Sequence, residues 1–286
     1  MFRSFAVLAS LVFPVLAVAQ QTDITFVVAG KTANYGQLLD GSVEALNYHF
    51  FAEIFLQPNG DVSPAAISTP KSNQPVEFSD SGYALEMHGG RYKTEAELEA
   101  NYPDGDYVFH YTTPSIGSVS QKVVMANTRT SGSAIPEAPS IFLSQAEHSV
   151  SPDQIDPDLD LRVTWSKFAE GREDPLGIMD DLLFVIMADC RGERIAHSGR
   201  PFENTPYLTY AANSYVIDAD ILNAENAYQL SVEHAILDTS IEHGVPAFAT
   251  FATTTFLELN TTGSATSDTA CPAILENFDA GQTVLD

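Results

Sequence analysis

The chain has 286 residues, with 38 acidic against 13 basic side chains and a formal net charge of −25 at pH 7. A surface of that sign repels a phosphate backbone and an anionic bilayer, which speaks against nucleic-acid binding and peripheral membrane attachment. The length leaves room for two domains of ordinary size.

The first nineteen residues read as an export signal. Arg3 supplies a positive start, residues 5–16 are almost continuously apolar, and Ala17-Val18-Ala19 gives the small-x-small pattern of a cleavage site before Gln20. The apolar run is too short to cross a bilayer, and no later segment reaches the roughly eighteen apolar residues a span requires. The expected location is therefore secreted or periplasmic, with cleavage near Ala19 and no membrane span in the mature chain.

Alternation at period two recurs through the rest of the sequence and helical periodicity does not, so the chain reads as mostly β. In residues 20–126, strands are expected at 23–29, 48–57, 62–68, 76–79 and 83–88, with Gly89-Gly90 turning the chain. One short helix is expected over 93–101, where Thr94 and Glu97 stand at capping-box spacing. Strands at 106–112 and 119–125 complete an N-terminal β domain. Residues 127–139, rich in Thr, Ser, Gly, Ala and Pro, read as a linker.

Beyond the linker, short strands are expected at 140–144, 159–166, 182–189, 194–198, 214–220, 228–234 and 249–260. That number of short strands within 140–262 is what two stacked antiparallel sheets require. Residues 263–286 are small, polar and acidic and read as a flexible tail. Cys190 and Cys271 are the only cysteines. An even pair in an oxidising compartment reads as a disulfide, two free thiols being the alternative.

Residues 135–262 resemble a fibronectin type III or immunoglobulin-like domain. Pro136-Glu-Ala-Pro139 is similar to the lead into the first strand, Trp165 is placed like the core Trp of the second, and 252–257 resembles a closing strand. Leu222, six residues before Tyr228, matches the tyrosine corner, in which a phenol hydrogen-bonds nearby backbone. The resemblance implies an antiparallel sandwich with Trp165, Leu222 and Tyr228 in its core. It departs from the pattern at 166–181 and 197–213, which look inserted, and at Ala224, where the corner usually has Pro. The whole chain resembles secreted bacterial proteins with such a C-terminal domain. Those motifs speak to the fold and carry almost no information about function.

Candidate chemistry is sparse. Asp153, Asp156, Asp158 and Asp160 gather hard oxygen ligands before a strand, as a structural Ca²⁺ site needs, with Asp180 and Asp181, after Glu173-Asp174, as further ligands from a neighbouring loop. The competing reading is a solvated acidic loop kept extended by its prolines. The seven His residues are scattered, with no HExxH, and there is no Gly-x-Ser-x-Gly elbow, so no catalytic residue is assigned. Tyr207, Tyr210 and Tyr215 form a possible ligand face, since Tyr buries ring area while keeping a polar end. These features together imply a non-catalytic binding, adhesion or surface-interaction protein whose partner is a glycan or an envelope or extracellular protein. The alternatives are an extracellular polysaccharide-acting hydrolase built on a carboxylate pair, and a purely structural surface protein.

Overall fold

The computed structural model describes residues 23–82, 84–126, 135–203, 205–264 and 270–275. The expected export signal, most of the expected linker and most of the expected tail lie outside them. Strands β1 (Ile24–Gln37), β2 (Val43–Leu56), β3 (Ala65–Thr69), β4 (Ser72–Glu77), β5 (Ser79–Asp80) and β6 (Ala84–Tyr92) precede helix α1 (Glu95–Asn101). Strands β7 (Gly105–Thr113), β8 (Gly117–Met125), β9 (Ile141–Gln145), β10 (His148–Ser149) and β11 (Leu161–Trp165) follow. The remaining strands are β12 (Leu182–Asp189), β13 (Arg194–His197), β14 (Leu208–Thr209), β15 (Ser214–Ile217), β16 (Ala227–Glu242) and β17 (Val245–Asn260).

They form three sheets. A nine-stranded sheet runs β13-β12-β16-β17-β1-β2-β6-β5, with β14 also paired to β12. Two four-stranded sheets, β4-β3-β7-β8 and β10-β9-β11-β15, complete the molecule. The protein is mostly β, with antiparallel sheets in a sandwich-like arrangement and one α-helix among the described residues, as the alternation implies.

The large sheet is continuous across both halves of the sequence. The exception to its antiparallel pairing is β1 against β17, parallel from Val27 opposite Ala247 to Gly36 opposite Phe256. The hairpin β16–β17 supplies the length for this: two 16-residue strands span about 50 Å at 3.4 Å per residue. His243 and Gly244 close it, both with positive φ (55° and 78°), as a two-residue hairpin turn matched to strand twist demands. The turn end meets β8, where Gln121 Nε2 donates to Val245 O (2.9 Å) and Lys122 N to a Glu242 carboxylate oxygen (3.1 Å). The far end of β1 meets β9, where Gln37 donates to Ile141 O and accepts from Ile141 N at 2.8 and 2.7 Å.

The two faces of the large sheet bury different sets of residues. Val27, Ala29, Phe50, Ile54, Val185, Leu230, Val232 and Phe251 join a core shared with both smaller sheets, including Phe109, Val163 and Trp165. Phe26, Val28, Phe51, Phe184, Ala235, Leu237 and Phe248 form a second cluster on the opposite face. Burial on both faces explains why 182–188 reads as an unbroken apolar run (Leu-Leu-Phe-Val-Ile-Met-Ala) instead of alternating.

Local signals hold where they are strongest. Thr94 caps α1 by accepting from Glu97 N (3.2 Å), and the Glu97 carboxylate accepts from Lys93 N (2.9 Å). Lys31, fully buried on β1, ties the helix down through Glu99 (2.6 Å) and Asp104 (2.8 Å). Gly89-Gly90, expected as a turn, instead lies inside β6, beside an irregularity in its pairing with β2. A Cβ at Gly89 would stand 2.6 Å from the Tyr102 ring, so the glycine admits a close approach and does not reverse the chain.

Candidate functional site

The resemblance to a tyrosine corner has a structural counterpart. Tyr228 and Leu222 are buried, and the Tyr228 hydroxyl accepts from Asn223 N at 2.7 Å. Trp165 is also buried, on β11 facing the large sheet. Cys190 and Cys271 are joined by a disulfide 81 residues apart in sequence. It fixes the start of the tail against β12 and β16, and Ala227 N donates to Cys271 O (2.8 Å).

The four aspartates of 153–160 do not converge, and no group of three or more His, Cys, Asp or Glu that could hold a metal ion occurs among the described residues. Each of these carboxylates except that of Asp158 engages a nearby donor. Asp153 accepts from Ser151 Oγ (2.5 Å), Asp156 from Asp158 N (3.0 Å) and Asp160 from Ala219 N (3.1 Å). The second acidic loop behaves the same way. Asp181, 1% exposed, accepts from Arg172 N and Leu237 N, each at 2.8 Å, and Asp180 accepts from Asp174 N (2.9 Å). Burial opposes ionisation of Asp174, but bonds from Thr239 Oγ1, Ile178 N, Leu176 N and Met179 N hold its carboxyl below the ordinary range. Asp156, Asp174, Asp180 and Asp181 therefore act as loop locks, each a short carboxylate that accepts from backbone N–H groups of its own loop.

Nor do the three tyrosines share one exposed face. Tyr207 is 42% exposed. Tyr210 packs against the main core, and Tyr215 donates its hydroxyl to His197 O (3.0 Å). What they adjoin is a cleft that the sequence did not single out. Residues 199–203 and 205–206, within one of the two apparent insertions, belong to a strap whose ends touch. Gly199 has φ +92°, and a Cβ there would lie 1.8 Å from Pro206 O, so only glycine lets the ends meet. At its tip Phe202 stacks on Phe26 (ring centroids 5.0 Å apart), and Phe26 stacks on Phe55 (4.4 Å).

The strap borders two adjoining cavities. One, of about 590 Å³, is lined by Arg194, His197, Arg200, Thr205, Leu208 and Tyr215, among others. The second, of about 430 Å³, is lined by Phe26, Phe55, Leu56, Pro58, Pro201 and Phe202. Arg200 and Glu203 belong to both walls. Desolvation, aided by the charges of Arg200 and Arg194, lowers the His197 pKa to about 4, so the imidazole is neutral at pH 7. Its Nδ1 accepts from Gly199 N (2.9 Å), which places the proton on Nε2, a buried donor with no hydrogen-bond partner among the described residues. The result is a pocket with two guanidiniums and one carboxylate, Glu203, in its wall, locally positive on a strongly acidic protein.

Phe202 has φ +65° with its side chain 50% exposed. A bulky side chain in the left-handed region costs roughly 1–2 kcal/mol. That cost is carried at the junction of the two cavities, and strain of this kind concentrates at sites of use. Reading motifs missed Arg194, His197, Arg200 and Phe202. The available signal was charge: residues 191–200 hold Arg191, Arg194 and Arg200, a basic cluster in a chain of net charge −25.

Among the described residues no helix is long and apolar enough to cross a membrane. No protein-family model matches the chain, and no curated protein matches it. Among solved structures, the crystal structure of chicken CNTN1 FN1-FN3 domains is similar at 12% identity and a TM-score of 0.16. The alignment covers 74% of this chain and 62% of that one, so the chain spans less than two thirds of that structure's length. An overlay of that quality carries no argument, and the fold described above rests on strand pairing and burial alone.

Proposed function

We propose that the protein is an exported binding protein of the cell envelope or extracellular space, acting through the cleft beside the strap that carries Arg200 and Phe202 rather than through a reaction centre. The observation that carries this reading is the cleft itself: Arg194, Arg200, His197 and Tyr215 lining a cavity of about 590 Å³ that adjoins a stack of three phenylalanines. Concave sites with an apolar wall and a few convergent polar groups are the usual form of a ligand pocket. Export is supported by the apolar N-terminal stretch and by the Cys190–Cys271 disulfide, which persists in oxidising compartments.

The test is a screen of the purified protein against glycans, peptides and envelope proteins, read by thermal shift and calorimetry. A ligand is expected whose affinity falls on Arg200→Gln with the fold retained. Folded protein that binds nothing in the screen, or a ligand indifferent to Arg200, Arg194 and Phe202, would refute the assignment of the cleft.

A further inference from the structure

The two cavities differ in chemistry, and their adjacency selects a ligand. Arg194 and Arg200 bring positive charge to the first, and planar guanidinium forks match a carboxylate geometrically. The neutral His197 ring holds its Nε2 proton in the same wall without an acceptor. A buried donor left in that state costs free energy that a carboxylate oxygen nearby would offset.

The second cavity is apolar and aromatic. Phe26, Phe55 and Phe202 lie in a stack, and Phe202 is held there in a strained conformation while half exposed. Exposed ring surface of this kind gains from covering by an apolar side chain. Arg200 and Glu203 stand in both walls, so one ligand can reach both cavities.

Net charge narrows the choice further. A polyanion is repelled by a chain of charge −25 at every step beyond the cleft, whereas a ligand with one carboxylate meets Arg194 and Arg200 against the single carboxylate of Glu203, which leaves the cleft locally positive. The site thus fits a single carboxylate set next to an apolar group.

Resting on the binding reading above, we infer that the cleft captures the carboxy terminus of a peptide whose last residue is apolar or aromatic. Its carboxylate lies among Arg194, Arg200 and His197, and its side chain lies against Phe202 and Phe26. Terminal-carboxylate capture is a known mode of peptide recognition. A free aryl or aliphatic acid offers the same chemistry in one piece, and the experiment separates the two sources.

The protein is titrated calorimetrically with an N-acetylated hexapeptide ending in Phe, with the same peptide as its C-terminal amide, with its Phe→Asp version, and with 3-phenylpropionate. The acid peptide is expected to bind at least about tenfold more tightly than the amide and than the Asp peptide, and more tightly than 3-phenylpropionate. Arg200→Gln and Arg194→Gln should each erase the preference for acid over amide. Phe202→Gly should weaken the Phe peptide while leaving that preference in place.

Equal binding of acid and amide by the wild-type protein would overturn the inference without any variant having to fold. A preference for 3-phenylpropionate over the peptide would overturn the peptide source. If none of these compounds binds but a glycan binds in an Arg200-dependent manner, the inference falls while the binding reading stands. If nothing binds at all, both fall.

Discussion

Glu233 provides the sharpest test of the packing described here. It lies on β16 among the residues facing the second cluster, opposite Phe184 and Thr254 in the sheet, and is only 7% exposed. Desolvation raises its pKa from 4.5 to about 7, opposed by the hydrogen bond it accepts from Thr254 Oγ1 at 2.5 Å. A carboxyl with a raised pKa in the folded state binds its proton more tightly there than in the unfolded chain. Its contribution to stability is therefore full below pH 4.5 and is lost as pH rises through about 7. The loss amounts to about 3 kcal/mol at 1.36 kcal/mol per pH unit. Glu233→Gln keeps the shape and the acceptor for Thr254 but cannot ionise. Urea unfolding of both proteins at pH 4 and pH 8.5 should give similar stabilities at pH 4 and a variant more stable by up to about 3 kcal/mol at pH 8.5. His197 and His234, both lowered to about 4 chiefly by burial, titrate in the opposite sense, with stability lost as pH falls from 6.5. They are common to both proteins and cancel in the difference. A gap between the proteins that does not change with pH, or a variant less stable at pH 8.5, would refute the buried charge.

Other consequences are open to direct measurement. Reducing the disulfide, or replacing Cys190 and Cys271 by Ala, removes closure of an 81-residue loop and should cost about 4 kcal/mol in the chain-entropy model, read as a lowered urea midpoint. At Phe202, Gly and Ala both delete the ring, but only Ala keeps the left-handed penalty. Phe202→Gly should therefore exceed Phe202→Ala in stability by about 1 kcal/mol, and equality would remove the claim of strain. Asp181→Ala orphans the buried N–H groups of Arg172 and Leu237 and should cost about 2–4 kcal/mol, much more than Asp158→Ala in the other acidic loop. Since no three of these acids converge among the described residues and Asp174, Asp180 and Asp181 are held by backbone N–H groups, millimolar Ca²⁺ should leave the melting temperature unchanged, and a rise abolished by Asp156→Asn with Asp158→Asn would reverse that.

Strand content, the helix and the buried anchors were legible because each is a short-range matter. Alternation marks a pleated face, the Thr94–Glu97 spacing satisfies the first turn of a helix by itself, and Leu222 and Tyr228 meet within one corner. What failed locally failed for a non-local reason. Gly89-Gly90 has turn composition, yet the nearby Tyr102 ring gives the pair another use. Residues 30–37 and 235–242 carry Lys31, Asn34, Asp238 and Glu242, polar residues that look foreign to a strand until partners from other elements surround them. The cleft was hidden for the same reason. Its walls come from β13, the strap, β15 and the starts of β1 and the ends of β2, segments up to about 190 positions apart, and no spacing rule joins them.

The sequence by itself determined a β-rich chain with a capped helix and a large excess of negative charge, all properties of residue type and near neighbours. Tertiary structure alone decided that β1 lies parallel to β17, that Asp174 caps its own loop, and that the strap carries Phe202 onto Phe26. Pairing of distant strands and the shape of a cavity depend on which surfaces exclude water together, and that is settled only when the whole chain packs.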